Sequence, residues 1–565
     1  MQAIHARNFF LIQSWLKENK QRITMIIVTT KSKTGRNQFA IPTGMYKRKE
    51  SDMNRQAEYA KRDNMNLKSK WYESAVFYHL FPLGFCGENL YNPAENSPGA
   101  ETVLNKIHSW IPHLRSIGIT AVLLGPVFHS MTHGYDLQDY RNVDPRLGTN
   151  EDLVALVNAL HNAGIQVVLD AVFHHSGRDF PAFADLRKHG TASQYRDWFS
   201  NVDFNSRSSL GDPFNYGSWN GHMELVKFNL DNPDVINHHL NAVRHWIEVF
   251  NIDGLRLDVA DCLDMGFQKT LRRFCDHIKS DFWLMGEVVH GDYSDWANDQ
   301  TLHSTTNYEM YKSIYSSHND HNFFEVAYAL NRQFNPENGI YSQLRLYNFI
   351  DNHDVDRIGS QIVERNHLRT VHMLLFTIPG IPSLYYGSEW AIPGRRRENS
   401  DSPLRPAIHL SSDSLAVISN QNIANYPLHG NGLPELIARL AEIRNQSPSL
   451  LHGDYRQILV DHCLLAFTRT CWISDETTLV IVNSSESAAS ITLQFKMASK
   501  GTMTDDHITL RDQLSNEYFT GFATHSDNCR NDCTNRSNYR GFTQLLNLSI
   551  AVPPRSGRII QQIER

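Results

Sequence analysis

From Trp71 to about residue 450, short apolar runs alternate with amphipathic helical patterns, and this alternation restricts the chain to a parallel sheet wrapped in helices. Parallel neighbours cannot be joined by a hairpin, so each strand needs a crossover, here a helix. Strands are predicted at 74–81, 119–124, 165–170, 252–258, 282–287, 305–310, 346–351 and 383–386, the sixth being the weakest. Helical spacing covers 102–117, 151–163, 234–250, 266–279, 323–334, 368–377 and 434–445, with Asn150 as the expected N-cap of the second. Eight strands and about eight helices predict an α/β fold, a (β/α)8 TIM barrel. The competing arrangement is a doubly wound open sheet, which normally has fewer strands and a Gly-rich phosphate turn after the first one. The sequence has no such turn there.

Two segments depart from the pattern. Residues 175–232 are polar and rich in Asn, Asp, Gly and Ser, with scattered aromatics such as Trp198, Phe199, Tyr216 and Trp219, and they read as a small inserted domain after the third strand. Beyond about residue 452 short strands are predicted at 457–460, 464–468, 478–482, 491–495 and 548–552, which makes a C-terminal antiparallel β domain. The expected plan is an extension over 1–64, barrel over 65–174 and 233–451, the insert over 175–232, and the β domain over 452–565. The extension is basic, carries Lys47-Arg48-Lys49, and reads as disordered, with Met65 as the natural start. Its apolar run, Ile23 to Val28, is too short to span a bilayer and is not followed by a signal cleavage pattern.

Composition narrows the partner. A net charge of -6 and a pI near 6.5 give no general attraction to nucleic acid or to anionic membrane, which favours a neutral or small-molecule partner. Seven scattered cysteines do not form a disulfide framework, and Cys529 with Cys533 lacks a second Cys/His pair at zinc-finger spacing. Reduced thiols in a cytoplasm, with no metal site, are expected.

In a barrel the chemistry sits where strands end, so polar residues there matter most. They are Asp170 with His174 and His175, Arg256 with Asp258, Glu287, and His353 with Asp354. Strand alternation puts Arg256 and Asp258 on one face, where the guanidinium keeps the carboxylate ionised and orients it. Asp258 is therefore a candidate nucleophile; a structural ion pair is the other reading of that stretch alone. Four carboxylates converging on one mouth repel one another, a liability unless a ligand or a mechanism uses them. Glu287 follows the apolar Trp283-Leu-Met-Gly286, a setting that suits a raised pKa.

Asp170-Ala-Val-Phe-His-His175, Gly254-Leu-Arg-Leu-Asp258, Gly286-Glu287 and Asn352-His353-Asp354 occur in the order and approximate spacing of four signature regions. In these the chain resembles the α-amylase superfamily, glycoside hydrolase family 13. The segments His133-Gly-Tyr135, Asp144-Pro-Arg-Leu-Gly-Thr149 and Gly380-Ile-Pro-Ser-Leu-Tyr-Tyr-Gly-Ser-Glu389 are similar to the family too. The resemblance implies that Asp258 is the nucleophile, Glu287 the general acid/base and Asp354 the transition-state stabiliser. It further implies that Asp170, His175 and His353 bond sugar hydroxyls, that Tyr135 is the platform under that sugar, and that Asp401 and Arg405 hold the next one. Arg256 accompanies the nucleophile.

The implied activity is retaining hydrolysis of α-glucosidic, mainly α-1,4, bonds in malto-oligosaccharides, cyclodextrins or related α-glucans. After the nucleophile, Asp261-Cys262 is closer to the Asn-Glu of cyclomaltodextrinases, neopullulanases and maltogenic amylases than to the Lys-His of secreted α-amylases. His174 stands where the family often has a calcium-ligating asparagine, so no calcium, and no other cofactor, is expected. Those relatives usually carry an N-terminal β-sandwich that aids dimerisation, which the segment before Trp71 cannot supply; a homodimer by another surface stays open. A transferase or isomerase acting on maltose or sucrose, and a non-catalytic sugar-binding barrel, are the alternative readings.

Overall fold

Strands covered by helices on one side and packed into a barrel on the other have no wet face, which is why they read as continuous apolar runs. In the computed structural model they are β1 (Phe77–Leu80), β2 (Ala121–Leu124), β3 (Gln166–Ala171), β4 (Gly254–Leu257), β5 (Trp283–Gly286), β6 (Ser304–Thr305), β7 (Tyr347–Phe349) and β8 (Ile381–Tyr385). The structure describes residues 70–85, 87, 102–398, 400–410, 416–420, 423–427, 432–500, 507–524 and 541–563. The expected extension over 1–64 and the start at Met65 lie outside them.

All eight strands are parallel, in the order β7-β8-β1-β2-β3-β4-β5-β6. A parallel bridge from Thr306 to Tyr347, with the Asn307 amide donating to the Tyr347 carbonyl at 3.0 Å, joins β6 to β7 and closes the barrel. The main helices are α1 (Val103–Ser109), α2 (Ile111–Ser116), α3 (Asn150–Asn162), α4 (Pro233–Phe250), α5 (Met265–Ile278), α6 (Tyr308–Asn319), α7 (Phe323–Phe334), α8 (Leu368–Thr377) and α9 (Leu433–Gln446).

Three local expectations need correction. The sixth strand does not run to Met310: it stops at Thr305, Asn307 accepts a hydrogen bond from the Met310 amide, and α6 begins. The 102–117 helix is two, α1 and α2, because Pro112 near the start of α2 has no amide to continue the first. The N-cap of α3 is Thr149 rather than Asn150. Thr149 and Asp152 form a reciprocal capping box, while the Asn150 side chain accepts from the Val143 amide at 2.9 Å.

The insert folds as a three-stranded antiparallel sheet of His175–Ser176, Ser218–Trp219 and His222–Lys227. A helix over Pro181–His189 packs Phe183 against Phe199 and Tyr216. The C-terminal sheet is antiparallel and has eight strands: β9 (Asp454–Val460), β10 (Leu464–Cys471), β11 (Glu476–Asn483), β12 (Ala489–Lys500), β13 (His507–Asp512), β14 (Tyr518–Thr524), β15 (Gly541–Val552) and β16 (Ser556–Gln562). Its core includes Leu493, Leu546, Leu548 and Ile560. Among the described residues no helix is long and apolar enough to cross a membrane.

Candidate active site

Each strand-end residue reaches the barrel mouth because β3, β4, β5 and β7 stop within a residue or a few of it. Asp170 lies inside β3, Arg256 inside β4 with Asp258 just beyond, Glu287 directly follows β5, and His353 with Asp354 follows β7. All six are brought together. The Arg256 guanidinium is the centre: Nη1 donates to Asp170 Oδ1 at 2.8 Å and to Asp258 Oδ1 at 2.9 Å, and Nη2 meets Glu287 Oε2 at 2.7 Å. Its side chain is 5% exposed, so these charges are screened by very little water.

Tyr135 joins the cluster from the loop after β2. Its hydroxyl donates to Asp170 Oδ2 at 2.8 Å and lies 2.6 Å from His353 Nε2, with the two rings stacked at 5.7 Å. His353 also pairs with Asp354 at 3.0 Å and stacks on Phe81. Arg405 donates to Asp354 Oδ1 at 3.1 Å and to Asp401 Oδ2 at 3.3 Å, so the Asp401–Arg405 pair is tied to the mouth as well. His175 belongs to the inserted sheet; its Nδ1 faces His174 Nδ1 at 3.2 Å and its buried Nε2 has no partner.

The electrostatics separate the three carboxyls at the mouth. Burial pushes Asp258 well above the usual carboxylate range, with Glu287, Asp170 and Asp354 adding to the rise and Arg256 opposing it. Arg256 favours the ionised form of Asp258, as the strand pattern suggests, but shares its charge among three acids. Burial and Asp354 push Glu287 up in the same way, against Arg256 and the Val259 amide. Asp354 goes the other way: against burial, the His353 imidazole and the Arg405 guanidinium hold it far below its ordinary value. One cation shared by Asp258 and Glu287 leaves that pair with room for a proton. Asp354 stays charged.

Sequence reasoning missed two contributors. The Tyr308 hydroxyl, at the start of α6, is 3.4 Å from Glu287 Oε1 and accepts from Asn352 Nδ2 at 3.2 Å, while Asn352 Oδ1 accepts from the Asp354 amide at 2.8 Å. Val259 stands at φ 40° and ψ 50°, a strained left-handed conformation for a β-branched residue, and its amide donates to Glu287 Oε2 at 3.1 Å. The signal for Tyr308 was hidden by the misplaced end of the sixth strand. Nothing in the sequence marks the backbone of Val259.

An acidic barrel mouth organised this way is a setting for glycoside chemistry. The family described as alpha amylase, catalytic domain, matches residues 95–420. The chain belongs to the α-amylase family. It is a glycosidase of that family. The maltogenic alpha-amylase of Bacillus acidopullulyticus is 28% identical over 468 residues, 78% of this chain and 75% of that protein. A cyclomaltodextrinase from a Bacillus species is 31% identical over 339 residues, 57% of this chain and 60% of that one. Neopullulanase 2 of Thermoactinomyces vulgaris is 28% identical over 474 residues, 80% and 76%. A solved cyclomaltodextrinase structure has the same fold, with a TM-score of 0.68 over 87% of this chain and 78% of that one at 24% identity. The barrel with its insert and C-terminal sheet is thus the α-amylase family architecture.

Proposed function

We propose that this α-amylase family enzyme hydrolyses mainly α-1,4-glucosidic bonds of malto-oligosaccharides and cyclodextrins with retention of configuration. The observation that carries the reading is the single Arg256 guanidinium held by both Asp258 and Glu287. Two carboxyls on one guanidinium lie side by side, which supports the separation of about 5–5.5 Å used in retention over the about 6.5–9.5 Å that admits a water for inversion. Asp258 attacks the anomeric carbon as Glu287 gives its proton to the departing oxygen, and a covalent glycosyl-enzyme forms. Glu287 then takes a proton from water, which attacks the same carbon and frees Asp258. The proton held by the Asp258/Glu287 pair sits on Glu287 in the reactive state. Asp354, kept ionised by its cationic neighbours, faces the positive charge that develops on the sugar.

Around the broken bond, Asp170 and His353 accept or donate to sugar hydroxyls, and the unpartnered Nε2 of His175 is a free partner for one. Tyr135 offers its ring face as the platform for that sugar. Asp401 and Arg405 hold the next residue of the substrate. The substrate class is supported by relatives named cyclomaltodextrinase, neopullulanase and maltogenic alpha-amylase. A cytoplasmic location is supported by relatives named intracellular maltogenic amylase in Bacillus subtilis and by the free thiols of Cys262, Cys275, Cys463 and Cys471.

Calcium, common at this point of the family's first signature region, does not fit here. The His174 ring is pushed down to about 4 by burial and by Lys227, and an imidazole beside a lysine is a poor partner for a hard, oxygen-seeking cation. The steps of the proposed reaction fall to side chains alone and need no cofactor.

The test is chromatographic analysis of products from maltotriose, β-cyclodextrin, pullulan, starch and sucrose, beside Glu287→Gln. Cleavage of maltotriose and cyclodextrin that falls by about 10²- to 10⁴-fold in the variant is expected from loss of the general acid. Turnover of sucrose without net hydrolysis would move the enzyme to the isomerase or transferase reading. Sugar binding without any turnover would make it a binding barrel.

A further inference from the structure

On the side of the barrel where α6, α7 and α8 approach the C-terminal sheet, three chain segments meet at a second cluster of chemically active side chains. His321 lies in the turn between α6 and α7, Glu364 and His367 precede α8, and Ser484 follows β11. His321 Nε2 is 3.2 Å from Glu364 Oε1, and His367 Nε2 is 3.7 Å from Glu364 Oε2 and 3.0 Å from the Ser484 carbonyl. One ligand atom from each of His321, Glu364 and His367 can be chosen so that all lie within 4.8 Å of one another.

We propose that His321, Glu364 and His367 form a binding site for a divalent transition metal, zinc being the best match, that pins the barrel to the C-terminal sheet. Two imidazoles and one carboxylate are the donor set zinc takes in proteins, at about 2.0–2.2 Å per ligand, so tetrahedral ligand atoms stand about 3.4 Å apart. The His321–Glu364 and His367–Glu364 spacings bracket that value, and the half-exposed His321 side chain has room to adjust to an ion. The Ser484 carbonyl is placed to serve as a fourth ligand.

The site is preorganised by contacts that do not depend on the ion. Asn319 Nδ2 donates to the Gln361 carbonyl at 2.9 Å and the Val363 amide donates to Asn319 Oδ1 at 3.0 Å, which fastens the α6–α7 turn to the Glu364 segment. His321 stands at φ 48° in that turn. His367 is 1% exposed; its Nε2 donates to the Ser484 carbonyl at 3.0 Å and its Nδ1 has no partner, so ligation through Nε2 moves the ring proton to Nδ1 and releases the Ser484 carbonyl toward the ion.

Arg555 holds Glu364 Oε2 at 3.0 Å and pairs with Glu486, so two carboxylates face one guanidinium. Arg555 fixes the orientation of the Glu364 carboxylate, the part outer-shell partners play in metal sites, and leaves Oε1 on the His321 side free to ligate. The two residues that flank Glu364 from the C-terminal sheet, Ser484 and Arg555, come from different turns, so an ion here would tie both to the barrel.

The experiment is zinc titration of chelator-treated, full-length protein by calorimetry, for wild type, His321→Ala, Glu364→Gln and, as a control on exposed histidines, His277→Ala. Binding of one zinc per chain is expected, with affinity lowered at least tenfold in the first two variants and unchanged in the third. Zinc should raise Tm in wild type and not in His321→Ala, and cobalt in place of zinc should give the visible bands of a tetrahedral site without a thiolate charge-transfer band. Absence of zinc binding by wild type, wild-type affinity in His321→Ala and Glu364→Gln, or a thiolate band from cysteine ligation would each overturn the proposal.

Discussion

Arg256 carries Asp170, Asp258 and Glu287 on one buried guanidinium, and the consequences of that sharing belong to single side chains. The strand-end acids were legible in the sequence because each polar residue interrupts an apolar run that has to be buried. The balance of charge among them was not, since it depends on how many acids one arginine meets in space. Tyr308 illustrates the same limit: its contact with Glu287 exists only because β6 is two residues long and α6 starts early. Asn352 donates to the Tyr308 oxygen, so the Tyr308 hydroxyl hydrogen is free to point at Glu287, where it favours the ionised carboxylate. Removing it in Tyr308→Phe raises the Glu287 pKa further. The alkaline limb of kcat/KM, set by loss of the Glu287 proton, should move to higher pH, with kcat reduced no more than about tenfold. A limb that stays in place or moves to lower pH would refute this role.

Elements were legible where their periodicity was long and uninterrupted. Helices α7 and α8 have the bounds that apolar spacing predicts: α7 buries one broad stripe, while α8 is buried on nearly every side. Ends were harder to read. Thr149 and Asn150 are both good N-caps by residue type, and only the reciprocal bonds between Thr149 and Asp152 decide between them. Thr149→Ala should therefore lower stability against urea by about 1 kcal/mol. An unchanged unfolding midpoint would show that the box contributes nothing. In the C-terminal sheet β13, β14 and β16 escaped prediction; in β13 and β16 the charged residues Asp512 and Arg558 stand at buried positions where an apolar residue is expected. Arg558 is satisfied by pairing with Asp512 and Glu517, a compensation that strand patterns cannot display.

The whole barrel was readable because eight βα alternations admit few topologies, and the closing bridge between Thr306 and Tyr347 supplies what the weak sixth strand lacked. The insert was recognised as a domain by its polarity, but its helix over Pro181–His189 was not, as it is short and half polar. Calcium bears on the molecule as a whole, since it is a stability ligand in this family. With His174 and Lys227 at the position, adding calcium to chelated enzyme should leave Tm unchanged, whereas a ligand at 100 times its Kd would stabilise by about 2.7 kcal/mol. A clear rise in Tm with calcium would contradict the reading of that position.

The central claim is that Asp258 forms a covalent bond to the sugar while Glu287 exchanges a proton. Proton NMR of the first product released from maltotriose, recorded before mutarotation, tests it most directly. The account predicts that the new reducing end appears first as the α-anomer, the configuration of the bond that was cut. Initial appearance of the β-anomer would mean direct attack by water, and would contradict the assignment of Asp258 as nucleophile.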